Sequence, residues 1–264
     1  MIESYPVMIG FLIKKAFFDF WDNMLRVVLL NIGFIALIGI GVYIPYLLRF
    51  NIFLSLFSFA AVLVVFNVYA GAAAMMARDM ADYRAPTFEN FKTYLREVWK
   101  TTLILSLITG LQVIIAFIAV PFYTSVGGVL GLGAVSLIFW VSIIWWLAAQ
   151  YFFPILSRLD KDPKKILKKC FLLLFDNTGF TLFLGIGSIA TLAISIFTAF
   201  LLPGVTGLLI WHQTAMKLRL YKYDYLDEHP GTDRKYIPWD ALLNEEKDKV
   251  GPRSLKGMIF PWKE

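Results

Sequence analysis

Seven polar side chains interrupt the apolar runs of this chain: Asn31, Asn67, Gln112, Gln150, Asn177, His212 and Gln213. Amides donate and accept hydrogen bonds without carrying charge, so a set of them around one cavity suits an uncharged, hydroxylated ligand. Asn31, Asn67, Gln112, Gln150, His212 and Gln213 are therefore the candidate ligand-binding residues, set toward one half of a bilayer. The same side chains serve equally as hydrogen-bonding glue between helices, worth about 0.6 kcal/mol on average in membranes. His212 is the intramembrane residue whose ordinary titration falls near neutrality. Flanked by Trp211 and Gln213, it reads as a packed, hydrogen-bonded side chain, with a proton relay or a metal ligand as the alternative.

Other chemistries lack their residues. His229 is the second of two histidines and Cys170 the single cysteine, so no metal site and no intrachain disulfide are expected. No nucleophile-elbow pattern accompanies the serines, no catalytic residue is assigned, no cofactor is expected, and the chain reads as a non-enzyme. Coupled carriers keep a charged side chain inside the membrane despite its cost; no Asp, Glu, Lys or Arg lies within these runs. The formal charge of +6 comes without a base-stacking or groove-reading motif, so no nucleic-acid partner is expected, and attraction to anionic lipid explains it.

The elements that hold these residues are long and apolar. Of 264 residues 59% are hydrophobic and 17% charged, against about half and a quarter in soluble domains, and the mean hydropathy is +0.68. A spanning helix needs roughly 20 apolar residues. Arg26 to Arg49 encloses 22 uncharged residues and Arg49 to Arg78 another 28, one span each. The 57 uncharged residues from Thr101 to Ser157 break at Pro121 and at Gly127, Gly128, Gly131 and Gly133, giving two spans and a turn; the 40 from Asn177 to Met216 break at Pro203 and Gly204. The reading is an all-α, polytopic bundle of about six spans (27–48, 52–77, 101–122, 129–153, 178–200 and 203–221), residues 1–216 forming the membrane domain and 217–264 a cytoplasmic tail. The sixth span is short, and is either a tilted helix continuing past Lys217 or a half-helix ending inside the membrane. Of 25 lysines and arginines, 24 fall in the segments between these pairs of spans and at the two ends, leaving Arg49 alone on the other side. The positive-inside rule then puts both termini in the cytoplasm.

Amphipathic segments precede the first, third and fifth spans, which begin near Val27, Thr101 and Asn177 at offsets of 74 and 76. This spacing suggests a unit of interfacial helix, outward span and inward span repeated three times. In the first segment Lys14 and Lys15 lie on one side and Phe17, Phe18 and Trp21 on the other. The second is capped at Thr87 after Pro86, and the third starts at Asp162 and Pro163 with Ile166, Leu167, Cys170, Phe171 and Leu174 on its apolar face. The Pro-x-Asp/Glu-x-x-Lys/Arg signature of mitochondrial carriers is absent. Small residues (Gly33, Gly39 and Gly41; 70–74; Gly185 and Gly187; Gly204 and Gly207) read as packing surfaces, and Trp21, Trp99, Tyr221, Tyr223 and Tyr225 as interface anchors. The tail holds a short helix over 239–249 and closes on Leu255, Met258, Ile259, Phe260 and Trp262, a cluster that packs on the protein's own surface or docks on another protein.

The stretch from Gly71 through Ala74 and Arg78, then Pro86-Thr87-Phe88-Glu89-Asn90-Phe91 to Trp99-Lys100, resembles the YesL-like family of bacterial membrane proteins. Trp145 to Gln150, Tyr151-Phe152-Phe153-Pro154, the 164–177 segment and Asn31 agree with it, over roughly residues 15 to 226. The resemblance implies a bacterial inner-membrane protein, with no catalytic residues to carry over, whose relatives accompany carbohydrate uptake and degradation. Together these readings point to a permease-like or accessory component of carbohydrate uptake, in contact with the lipid bilayer, with carbohydrate transporter subunits and with a neutral polar solute. A structural or assembly factor, and an intramembrane enzyme acting on lipid, are the competing classes.

Overall fold

The computed structural model describes residues 4–234 and 236–254, and every regular element among them is helical. The apolar cluster at 255–262 lies outside the described residues. Helices α1 (Ser4–Asp22) and α2 (Met24–Leu47) are separated by Asn23, and α3 (Ile52–Ala81) returns from a start where the Asn51 side chain accepts from the amides of Phe53 and Leu54. Helix α4 (Phe88–Ile114) passes through a π-helical turn, Ile115–Ala119, into α5 (Val120–Val126). Pro121 follows that turn and cannot donate to the helix ladder, which accounts for the local widening. Helix α6 (Gly128–Ala149) and the short α7 (Phe152–Arg158) return, α8 (Pro163–Asp176) and α9 (Thr178–Phe197) follow, and α10 (Gly204–Glu228) precedes the small α11 (Trp239–Leu242) and α12 (Asn244–Val250).

Among the described residues five helical segments are long and apolar enough to cross a bilayer: Met24–Leu47, Ile52–Ala81, Phe88–Val126, Gly128–Arg158 and Thr178–Phe197. Their outer faces are bare hydrocarbon, with Phe197 91% and Val129 88% exposed. That surface is stable only against lipid. Two helix starts follow the sequence reading. Thr87 accepts from the Asn90 amide while the Asn90 side chain accepts from the Thr87 amide, a reciprocal cap, and Asp162 accepts from the Lys164 amide at 2.9 Å. The break between the third and fourth apolar segments falls at Gly127 and Gly128, whose φ values of 64° and 62° suit residues without a Cβ.

The proposed threefold unit recurs in order but not in geometry. The second amphipathic segment does not end before its span: Phe88–Val126 is one continuous helical stretch, because nothing like Asn23 or Asn177 interrupts it. Nothing in α4 beyond Ser106 is buried, so its far half and α6 form a hairpin that faces outward. By contrast α10 is central, packing against α1, α2, α3, α7 and α9. It is not one of the five long apolar helices. Gly204 to Lys217 is an advance of 13 residues, or about 20 Å, short of the roughly 30 Å of hydrocarbon. The helix does continue past Lys217, but Arg219 and Lys222 are buried against protein and do not reach outward to water.

Candidate functional site

The starting point is the first turn of α10. A helix leaves its first amides without partners, and α10 opens inside the bundle after a loop that reverses from α9. Asn31 of α2, fully buried, supplies the bonds: its Oδ1 accepts from the Thr206 amide at 2.9 Å, and its Nδ2 donates to the carbonyls of Leu201 at 3.0 Å and Pro203 at 2.8 Å. Ser195 Oγ accepts from the Gly204 amide at 2.9 Å. A Cβ at Gly204 would run into the Asn31 amide, and its φ of 62° is disfavoured for other residues.

Two turns along α10, Trp211 donates to the Leu184 carbonyl at 3.0 Å while its ring covers Gly187, where a Cβ would collide with the indole. His212 Nε2 lies 2.8 Å from Ser188 Oγ, which is 3.3 Å from Gln150 Oε1; all three are buried. Gln213 points elsewhere. Its Oε1 accepts from Ser157 Oγ and Arg158 Nε, both at 3.1 Å, and its Nε2 donates to the Ala74 carbonyl at 3.2 Å.

The structure thus brings Gln150 and His212 together through Ser188, places Gln213 in a neighbouring network and leaves Asn31 at the start of α10. Asn67 bonds within its own helix, to the Leu63 carbonyl at 2.9 Å. Gln112 lines an apolar groove of about 440 Å³ between α4 and α6 with Ile108, Leu137 and Trp145. The six candidates do not surround one common cavity.

The densest chemistry lies at the charged end of the bundle. Lys15, on the side of the first amphipathic segment opposite Phe17 and Trp21, is fully buried. Its Nζ lies 2.9 Å from Asp19, 2.9 Å from the Ala81 carbonyl and 3.4 Å from Glu246, and 3.8 Å above the Tyr83 ring. Lys217 reaches Glu246 at 2.9 Å and Asp82 at 3.3 Å, and Arg158 reaches Asp82 at 3.0 Å. Thr214 donates to Asp19, and Tyr83 and Tyr221 donate to Glu246 at 2.9 and 2.8 Å. Tyr221 thus donates to the network, and Tyr223 donates to Asp176 at 2.6 Å. Burial raises Asp19 to about 6 against the pull of Lys15. Burial also acts to raise Glu246, but the hydrogen bond from Lys217 and the charges of Lys15 and Lys217 overcome it and hold the carboxyl at about 2.

A signal for this core existed in the sequence. Lys15 and Asp19 continue the 3–4 spacing of Met8, Phe11 and Leu12, all buried, so the helical period turns them inward with that stripe. What no local pattern contained was Glu246, 231 positions after Lys15, which closes the network from α12.

A membrane-spanning helical bundle with a self-paired polar interior and a buried ionic core at one end is the class these features define. In sequence the chain is similar to the protein named uncharacterized protein YesL of Bacillus subtilis (strain 168), with 27% identity over 179 residues, 66% of this chain and 81% of that protein. This similarity agrees with the YesL-like resemblance read from the sequence. No known protein family's profile matches it, and no solved structure matches it.

Proposed function

We propose that this chain is a non-enzymatic component of a bacterial cytoplasmic membrane, with both termini inside, that serves a solute-uptake system as an accessory subunit and does not itself form the conduit. One observation supports accessory over conduit: Gln150 and His212 are bonded to each other through Ser188, Gln213 to Ser157 and the Ala74 carbonyl, and Asn31 to the start of α10, so these groups spend their hydrogen bonds inside the bundle. A permeation path needs such groups turned to a passage. Carbohydrate as the solute is supported by the YesL-like resemblance, whose members accompany carbohydrate uptake.

The test pairs two measurements. The purified chain in proteoliposomes takes up no labelled mono- or disaccharide, while a tagged copy drawn from native membranes brings transporter subunits with it and its deletion slows sugar uptake by cells. Uptake by the chain alone would make it a permease. Absence of both a transporter partner and an uptake defect would leave the assembly-factor reading in its place.

A further inference from the structure

Two grooves of similar size run along the apolar surface, and the charges beside them differ. One, about 450 Å³, lies between α1, α9 and α10 and is lined by Ile13 and Ala16 of α1. The lysines between those two residues are already spent, Lys14 on the Gly251 carbonyl and Lys15 on Asp19 and Glu246. The other, about 440 Å³ between α4 and α6, ends beside lysines that have no such partners. We propose that this second groove and the lysines at its charged end bind an anionic phospholipid, with an acyl chain in the groove and the headgroup phosphate among the lysines. The inference is independent of the accessory-subunit reading, since lipid retention and not uptake tests it.

The shape of the groove is the first ground. Ile108, Leu111 and Ile115 form one wall, and Leu137, Val141 and Trp145 the other. Leu111, Leu137 and Val141 are all more than half exposed, so the groove opens outward to hydrocarbon. Phe171 of α8 reaches it at the charged end, its ring 6.1 Å from that of Trp145. From Lys100 to Ile115 the helix advances about 22 Å, half of the roughly 40–45 Å of a bilayer with its headgroups. A lipid whose phosphate lies at the level of Lys100 therefore reaches the far end of the groove with its chain.

Charge is the second ground. Residues 161–169 carry five lysines. Lys161 pairs with Glu97 and Lys169 with Asp160, whereas Lys164 and Lys168 are exposed and form no ion pair among the described residues. These two share one face of α8 with Phe171, at spacings of four and three. Lys100 of α4, likewise without an acidic partner among the described residues, meets the ring of Trp99 at 5.6 Å and lies three turns before Leu111 on the same stripe. Thr101 Oγ1 donates to the Lys161 carbonyl at 2.7 Å, which fixes the start of α8 against α4 and brings the lysines of both helices to the charged end of the groove. Lysines grouped on an amphipathic helix at the membrane surface attract anionic headgroups, and here an apolar slot for the chain adjoins them.

The full-length chain, stripped of lipid in a maltoside detergent at low salt, is offered phosphatidylglycerol and phosphatidylcholine with identical acyl chains, and retention is read by native mass spectrometry. Phosphatidylglycerol is retained in preference. Lys164→Gln and Lys168→Gln each weaken it about fivefold and leave phosphatidylcholine as it was. Val141→Trp, which fills the groove, lowers retention of both lipids, while Ile186→Trp, in the groove beside α1, changes neither. Lys164, Lys168 and Val141 are all exposed, so these variants keep the wild-type melting temperature, measured alongside. Equal retention of the two lipids, a preference that both lysine variants leave intact, or retention that Val141→Trp leaves unchanged overturns the proposal.

Discussion

Asn31 uses both ends of its amide on the start of α10, and Gln112 uses neither end on any partner described here, which gives the two residues opposite sensitivities. Asn31→Ala strands the Thr206 amide and removes a donor from two carbonyls in a buried setting. Each unsatisfied group costs about 1–3 kcal/mol, so the variant should lose on the order of 2 kcal/mol and melt at a clearly lower temperature in detergent. Gln112→Leu sits in an apolar groove and should change stability by less than about 0.5 kcal/mol. Equal effects of the two substitutions in one thermal assay would contradict this assignment. Which residues carry polar groups into the membrane was legible in the sequence. Their partners were not, because Asn31 and Thr206 are 175 positions apart and no spacing rule links helices that meet only in the folded bundle.

Helix starts were the most readable elements, since a cap acts within three or four residues and Thr87 and Asp162 each do so. The helix expected over 239–249 divides at Leu243 and ends before Gly251. Less readable was what α12 does, which depends on Glu246 entering a site built by α1, α3 and α10. Glu246→Gln leaves Lys15 and Lys217 with one counter-charge fewer in a buried site, at a cost on the order of 3 kcal/mol. Hydrogen exchange over 239–250 should rise at neutral pH in that variant while the long apolar helices stay protected. Acid should mimic the substitution. The Glu246 carboxyl stands at about 2 against an ordinary 4.5, so its contribution is complete above about 4.5 and fades as the pH falls toward 2. Asp19 works in the other direction. Raised from 3.8 to about 6, it gains a proton in the fold first, so acidification from about 6 to about 4 favours the folded state through Asp19. Exchange should accordingly stay flat or slow down between about pH 6 and 4.5 and quicken below. A monotonic rise starting at pH 6 would mean that Glu246 does not hold α12.

At the scale of the whole molecule, the orientation expected from the basic residues is open to direct labelling. A cysteine placed in the 123–128 turn should react with an impermeant thiol reagent added outside cells, and one at Lys164 should not; the inverse pattern would reverse the topology. Native Cys170 can stay in place, being fully buried with its thiol pushed up to about 12. The sequence made the apolar segments and their breaks plain because length and charge alone define a span. It did not reveal that α10 would occupy the centre of the bundle, since helices with the same hydropathy can sit anywhere in it. The contact between Lys15 and Glu246 carries a consequence for synthesis. The lysine leaves the ribosome 231 residues before Glu246, the more distant of its two carboxylates, an interval of about 12–46 s at ordinary elongation rates. Throughout that time Lys15 has Asp19 beside it but not Glu246, so the ionic core cannot close until α12 has been made. A nascent chain stalled before residue 246 would carry its inserted apolar helices with one end still unlocked.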